Sequence, residues 1–483
     1  MLLTFRVSNF RSIRDEQVFS FLHGSSTPPP SRPSALRTSE DSDAGTSEEI
    51  YEGGKVPAWE NNVGTIAGIF GANASGKSNV LKAISFMDRA VGNSYRSWVP
   101  KESIPREPFL LEPTYADEPS LFEAVFISHG TRYQYGFRLT SNQVVGEWLY
   151  AYPTSRRQVW FERDISADPV YYFGKSFTGR NRVIADLTAP TSLFLSTAVA
   201  NNHKMAGLVE HWFRSHFRSA SPDDRTMRIR YTQNLSKRKD RWNEVTELMK
   251  FADLGICEAR IRQEPMAGAE KDRLARIFRA LDDEGGRGPG SSDIDKLIEE
   301  NANVVEFAHS TASKEQIYFP LVSESLGTQT WFSLVGPILD AIRYGNTLTI
   351  DELDASLHPH LTAEIISLFR DPEKNPKQAQ LLFTTHDTTL LGSLLGEREL
   401  AREQIWFTEK SSDGATVLYP LTDFSPRKSE NLERGYLQGR YGAVPYLDGR
   451  IVGEIASQIS LNSQTRTEND GIRSSQDNEE LES

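Results

Sequence analysis

Cysteine is nearly absent: Cys257 is the single one in 483 residues, so no disulfide can form within the chain. That suits a reducing compartment, and the expected location is cytoplasmic. Cys257 itself reads as a packed core residue rather than a nucleophile. Long apolar runs are also missing. None approaches the roughly 20 residues needed to cross a bilayer, so no membrane partner is expected. The N-terminus, MLLTFRVSNFRSIRDEQ, has no signal-peptide core with a cleavage site; its alternation reads as a first strand. An excess of positive charge is lacking too. Lys and Arg number 54 against 66 Asp and Glu, a net charge of −12. A chain so acidic is not a general nucleic-acid coat, although a local basic face leaves nucleic acid possible as a partner. Finally, there are no sustained heptads and no internal repeats, which counts against long coiled-coil arms.

What is present alternates between two patterns. Residues 1–22 and the segments LFEAVFI, RYQYGFRL, QVVGEWLYAY and QVWFER within 121–161 alternate as strands, with turns at SHGT and TSN, and predict an antiparallel sheet. Residues 190–280 read as mainly helical, with VTELMKFADLGI stopping at Gly255. NVVEFAHS and QIYFPLV predict paired strands, Trp331 to Arg343 an amphipathic helix, and QIWFTEK and ATVLYPL a late strand pair. Short buried strands alternating with helices elsewhere argue for a mainly parallel α/β core. Residues 23–50 are rich in Ser, Pro, Thr, Asp and Glu and read as a flexible loop. DDEGGRGPGSSD at 282–293 reads as a linker, and the polar tail from 458 as disordered. The expected organisation is an N-terminal half at 1–199, a helical, partner-binding insertion at 200–300, a C-terminal half at 301–457 and the tail at 458–483.

Gly71-Ala72-Asn73-Ala74-Ser75-Gly76-Lys77-Ser78 follows an apolar strand and opens a helix. It matches the phosphate-loop pattern, two glycines with four residues between them followed by Lys and Ser. Gly71 and Gly76 let the backbone wrap an anion, and the loop and helix N-terminus aim their N–H groups at it. Lys77 is expected to neutralise β- and γ-phosphates, and Ser78 to offer its hydroxyl to Mg²⁺. Asn73, Ser75 and Asn79 complete the expected nucleotide contacts.

Thr347-Leu348-Thr349-Ile350-Asp351-Glu352 is an apolar strand ending in two carboxylates. Beside a phosphate loop, Asp351 reads as the Mg²⁺-side acid and Glu352 as the general base for water; a capping pair at a strand–helix turn is the alternative. Asp354-Ala355-Ser356-Leu357-His358-Pro359 follows. A second buried strand, Leu381–Thr385, ends in His386, placed to sense the γ-phosphate or the attacking water. Upstream lies Glu324-Ser325-Leu326-Gly327-Thr328-Gln329, before a helix. Ser325, Gly327 and Thr328 read as a second anion site serving a partner chain's ATP, or else as an ordinary helix cap. The stretch Arg225 to Arg241 reads either as a solvated face or as a phosphate-contacting surface.

Taken in order, phosphate loop, long insertion, S-L-G-T signature, IDELD strand, HP turn and TTHD strand resemble the ABC-type ATPases of the SMC, Rad50 and RecF group. The segment F-R-V-S-N-F-R-S-I near the N-terminus, and Gly435-Tyr436-Leu437-Gln438-Gly439-Arg440-Tyr441-Gly442-Ala443-Val444-Pro445, resemble more closely the AAA15-type (AbiLi-like) ATPases of bacteria, which are related to the overcoming-lysogenisation ATPases. The resemblance implies an α/β fold: an ABC-type ATPase head with a mixed β-sheet core flanked by helices, an antiparallel β subregion and a mainly helical insertion. It implies ATP as substrate, Mg²⁺ as cofactor, and a homodimer or higher oligomer through shared ATP sites, with Asp354 crossing the interface. The chain departs from the family in two respects: neither Gln134 nor Gln143 has the neighbourhood of the metal-binding glutamine that many ABC proteins carry, and the signature reads S-L-G-T rather than S-G-G, which implies a different hydrogen-bond set to the γ-phosphate. The family implies an ATPase subunit of anti-phage defence or abortive infection acting with a separate effector, a nuclease of the TOPRIM, RloB-like or HNH kind. About 60 residues follow Asp423, too few for a fused TOPRIM domain. A RecF-like DNA-repair ATPase is the alternative. A transporter subunit is disfavoured by the roughly 270 residues between the two half-motifs.

Overall fold

Mostly buried strands fill the N-terminal part of the chain. The chain runs through β1 (Leu2–Ser8), β2 (Gln17–Ser20), β3 (Ile66–Gly71) and helix α1 (Lys77–Ser97). Then come β4 (Ser120–Ser128), β5 (Thr131–Leu139), β6 (Val144–Tyr152), β7 (Gln158–Asp164) and β8 (Tyr171–Phe173). Seven of these strands form one sheet, in the order β2-β1-β4-β5-β6-β7-β8, antiparallel throughout. The β4–β5 turn is made by His129 and Gly130, with φ 49° and 72°; two left-handed residues in succession are what a tight hairpin of right-twisted strands needs. The computed structural model describes residues 1–23, 62–101, 103–154, 156–252, 255–263, 303–311, 313, 315–392, 399–427, 430–445, 450, 452–455 and 457–458. The loop expected at 23–50 lies outside them apart from His23, as do the linker at 282–293 and all of the tail but Gln458.

Helices α2 (Asn181–Leu187), α3 (Phe194–Ala200) and α4 (Lys204–His216) lead into β9 (Phe217–Ala220), followed by α5 (Arg225–Asn234) and α6 (Lys239–Phe251). The inner face of the antiparallel sheet packs on α1 and α4: Phe122 meets Phe86 with ring centres 4.7 Å apart, and Phe126 stacks on Trp212 at 3.8 Å. All four rings are buried, and rings of this size contribute most of a core's apolar burial.

The chain continues with β10 (Ile256–Gln263), β11 (Asn303–Ser310), β12 (Gln316–Pro320), α7 (Leu326–Tyr344), β13 (Thr347–Ile350), α8 (Pro359–Arg370), β14 (Gln380–Thr384), β15 (Ile405–Lys410), β16 (Thr416–Pro420) and α9 (Leu432–Leu437). β10, β11 and β12 form a small antiparallel sheet. The central sheet has the order β16-β15-β3-β14-β13-β9, and every pairing except β15–β16 is parallel. β3, β13 and β14 are buried at every residue, as strands covered on both faces must be. The residues from Met1 to Ala443 make one compact unit. A second unit runs from Val444 to Ser483, of which little beyond a helical stretch at 452–455 is described.

The region 190–280 is mainly helical where it is described and also holds two strands, β9 as an edge strand of the parallel sheet and β10 as part of the small one. Three expectations need correction. The helix expected from Trp331 begins five residues earlier, because the Ser325 hydroxyl accepts the N–H of Thr328 and caps it. Cys257 is half-exposed in β10, its Sγ 3.0 Å from the Ser310 hydroxyl, and is not a core residue. The basic stretch is not wholly a solvated face. Arg228 and Arg241 are buried, and Arg241 pairs with Asp340 on α7, which also accepts the Tyr231 hydroxyl. α5 lies so close to α7 that a Cβ on Gly336 would fall 2.5 Å from the Thr232 hydroxyl oxygen.

Candidate functional site

The parallel sheet delivers its C-terminal strand ends to one place. β3 ends at Gly71, β13 at Ile350 and β14 at Thr384, and these three strands are neighbours. Ligands of parallel α/β sheets bind at such carboxyl ends. The loop after β3 turns through Ala74 (φ 61°) and Gly76 (φ 108°) before α1 starts at Lys77. Gly76 has no room for a side chain: a Cβ there would lie 2.1 Å from the Thr416 hydroxyl oxygen. At Gly71 a Cβ would lie 2.5 Å from the carbonyl of Thr408. Both glycines are therefore required by contact as well as by backbone shape.

Lys77 is buried and donates from Nζ to the carbonyls of Gly71 (2.8 Å) and Ala72 (3.1 Å). Burial pulls its ammonium down to about 8, against the opposing pull of Asp351, Asp354 and Glu352. Those three carboxylates come from the β13 end, more than 270 positions along the chain. Ser78 donates its hydroxyl to Asp351 Oδ1 at 2.9 Å. Thr384 donates to the same oxygen at 2.6 Å and accepts the N–H of Glu352 at 2.8 Å. Glu352 is exposed and has a left-handed backbone, φ 56°, a conformation that costs a non-glycine residue about 1 kcal/mol or more. Thr384 pins it there.

Asp354 Oδ1 accepts from the Thr385 hydroxyl (2.7 Å) and the N–H of His386 (3.2 Å). His386 lies on the surface, its ring held below the usual imidazole range first by burial and then by the nearby Lys77 charge. It is therefore neutral at pH 7, able to accept at one nitrogen and donate at the other.

Other residues singled out from sequence are placed differently. Asn73 is exposed in the loop. Ser75 is buried and shares a hydrogen bond with the Thr408 hydroxyl at 2.7 Å, so its side chain braces the loop. The Asn79 amide donates to the Ser12 hydroxyl (2.6 Å), which lies 2.7 Å from the Thr416 hydroxyl. Ser12 belongs to the F-R-V-S-N-F-R-S-I segment, so that segment buttresses the loop. Ser325 is exposed at the tip of α7, whereas Thr328 is buried and its hydroxyl lies 2.9 Å from that of Ser325. Gly327 faces the turn after β13: a Cβ there would sit 2.8 Å from the carbonyl of Ser356. Gln134 is buried in β5 and bonds Glu123 at 2.9 Å.

Thr384, Thr385, Thr408, Thr416 and Ser12 were not foreseen as site residues. The adjacent threonines before His386 were the one local signal, since hydroxyls next to a strand end can tie down a following turn. Thr384→Val keeps the shape and leaves Asp351 Oδ1 and the Glu352 N–H each short of a partner. We expect a loss of about 1–3 kcal/mol of stability in urea denaturation; a change inside measurement error would show that Thr384 does not hold the acidic turn.

The C-terminal Gly435–Ala443 segment closes over the strand next to β3. Tyr436 stacks on Phe407 of β15 at 5.4 Å, and Phe407 meets Phe70 of β3 at 6.4 Å.

Residues 66–392 match the family model described as "AAA domain, putative AbiEii toxin, Type IV TA system". No curated protein matches the sequence. Among solved structures, the SMC head domain from Thermotoga maritima is 12% identical with a TM-score of 0.35, over 87% of this chain and 98% of that one. The SmcHead bound to the C-winged helix domain of ScpA gives 12% and 0.40, over 86% and 96%. An Smc head domain with an extended coiled coil, bound to the C-terminal domain of ScpA derived from Pyrococcus furiosus, gives 12% and 0.36, over 87% and 97%. Likeness that weak leaves the details of the site to the chain's own geometry. No helix among the described residues is long and apolar enough to cross a membrane.

Proposed function

The chain belongs to this AAA-domain family of the AbiEii type, and from that premise we propose that it binds and hydrolyses ATP as an ABC-type ATPase with sites shared between two copies. One observation carries the reading: the loop helix and the acidic strand end meet at the Ser78–Asp351 hydrogen bond, 2.9 Å long, beside the buried Lys77. Lys77 exchanges its loop carbonyls for phosphate oxygens, and the loop's N–H groups and the α1 N-terminus add to the anion's hold. Ser78 and Asp351 supply hard oxygens of the kind that Mg²⁺ takes, one or two from protein and the rest from phosphate and water. Bound there, the ion neutralises phosphate charge. Glu352 polarises the attacking water, and the neutral His386 hydrogen-bonds the γ-phosphate or that water.

The partner chain closes the site with Ser325 and the N-terminus of its α7. Gly327 lies against the Ser356 carbonyl of its own chain, and Asp354 of the same turn holds Thr385 and His386. The helix tip that meets one nucleotide is thereby joined mechanically to the turn beside the other. This supports a two-state dimer whose closure responds to both sites. The defence role draws support from the resemblance of the motifs and from the family's description as a toxin of a type IV system. On this reading the nucleotide state holds or releases a separate effector, with a nuclease the expected class.

Calorimetry with MgATP at pH 8 tests the chemistry. Lys77 titrates near 8 in the chain alone, and a triphosphate beside it favours the charged form. Binding should therefore take up about half a proton at pH 8 and less at pH 7, read from the dependence of the heat on buffer ionisation. Phosphate release should require Mg²⁺. No ATP binding at either pH, or binding without proton uptake at pH 8, would contradict the placement of the triphosphate on Lys77.

A further inference from the structure

We propose that a cleft between the C-terminal half of α1, α3, α4 and β9 binds a phosphate-bearing small molecule of nucleotide size, at a second site separate from the phosphate loop. The cleft has a volume of about 450 Å³, within the roughly 300–1,000 Å³ typical of small-molecule sites. A narrower pocket of about 80 Å³ shares Asp88, Arg89 and Arg218 with it and reaches Thr349 of β13. Its charge is unusual for a chain of net −12. Four guanidiniums line it, from Arg89, Arg96, Arg214 and Arg218, against the two carboxyls of Asp88 and Glu210. Guanidinium forks match phosphate oxygens in geometry as well as charge.

The arginines are set at two depths. Arg218 is half-buried, and its guanidinium donates to the carbonyls of Arg214 (3.0 Å) and Phe217 (2.7 Å), which fixes its direction. Arg214 is paired with Glu210 at 3.4 Å. Arg89 and Arg96 are exposed on α1 and enter no ion pair among the described residues. Seven positions apart, they share a helix face about 10 Å long, too wide a span for one bare phosphate and well suited to phosphate plus a further polar body. Asp88 sits beneath them. Burial lifts its carboxyl to about 7, with Arg218 and Arg89 opposing the lift and Glu210 adding to it. Near neutrality much of it carries a proton, so it offers a donor and little repulsion to an anion. Arg89 lies 12 residues beyond Lys77, about 18 Å along the helix, so one ATP cannot occupy both places. The two carboxyls among the guanidiniums favour a small ligand over a nucleic-acid backbone, which would run along a uniformly basic face.

The test uses the full chain carrying Lys77→Ala, so that the phosphate loop does not contribute. Pyrophosphate, AMP and a short single-stranded oligonucleotide are titrated separately by calorimetry. We expect pyrophosphate or AMP to bind at one site per chain, and Arg89→Glu with Arg96→Glu to weaken that binding at least tenfold without changing the melting temperature. Both arginines are exposed, so folding is not at stake, and the milder Arg89→Gln serves as a second variant. Failure of both small probes to bind, affinity unchanged in the arginine variants, or binding of the oligonucleotide alone would each overturn the proposal. With Lys77 restored, the arginine variants should bind ATP at the loop as the parent does.

Discussion

Lys77→Ala is expected to weaken ATP binding at least about a hundredfold. The ammonium is buried at the loop, within the field of Asp351, Asp354 and Glu352. In the proposed complex it stands between the triphosphate and those carboxylates. Its removal takes away a charge-assisted hydrogen bond and leaves the anion facing them uncompensated. Hydrogen bonds to charged groups contribute about 1.5–3 kcal/mol each, and a hundredfold in affinity is about 2.7 kcal/mol. Lys77→Arg should recover little, because Nζ is held between two loop carbonyls where a planar fork does not fit. A fluorescent-nucleotide titration measures this directly. Affinity within threefold of the parent would remove Lys77 from the phosphate contact.

Glu352→Gln has the second large effect: hydrolysis should fall by a factor of about 10²–10⁴, the usual contribution of a positioned base, while ATP affinity changes little. The argument rests on position. Glu352 follows Asp351 immediately, is exposed, and is fixed in a left-handed backbone by Thr384. Glutamine keeps the size and the backbone demand and loses only the ability to accept a proton. Single-turnover phosphate release reads the chemical step apart from binding. Turnover within fivefold of the parent would assign the base elsewhere. ATP-bound chains should accumulate as dimers in this variant, visible by light scattering.

The glycine-rich loop after β3 and the acidic strand end could be read from sequence as a strand–loop–helix and a buried strand because each is a contiguous stretch whose backbone chemistry admits few residues. The antiparallel sheet was legible for a similar reason: its alternation repeats over four strands and its β4–β5 turn is His129-Gly130. β9 was not, since Phe217–Ala220 is four residues long and follows a helix without a break. It exists because the edge of β13 offers a parallel partner, with the Asp351 N–H donating to the Ala220 carbonyl at 2.8 Å. The hydrogen bonds that Ser75 and Asn79 make within the chain were not legible for want of long-range knowledge. Their partners, Thr408 and Ser12, lie 333 and 67 positions away. Likewise Arg241 looked like part of a charged surface until α7 brought Asp340 to it. Local pattern reveals which backbone forms; it does not reveal which side chain from elsewhere will claim a hydroxyl or a guanidinium.

Sharing of ATP between two chains is the central claim, and site-directed cross-linking tests it most directly. Asn73→Cys is placed in one chain and Ser325→Cys in another, each with Cys257→Ser and Glu352→Gln, and a short bismaleimide is added with or without MgATP. Both positions are exposed, so each thiol is accessible in the free chain. The account predicts a covalent heterodimer that forms with MgATP and is lost when Lys77→Ala is added. Cross-linking that is absent with MgATP, or equal with and without it, would contradict a nucleotide held by one chain's loop and closed by the other's helix tip.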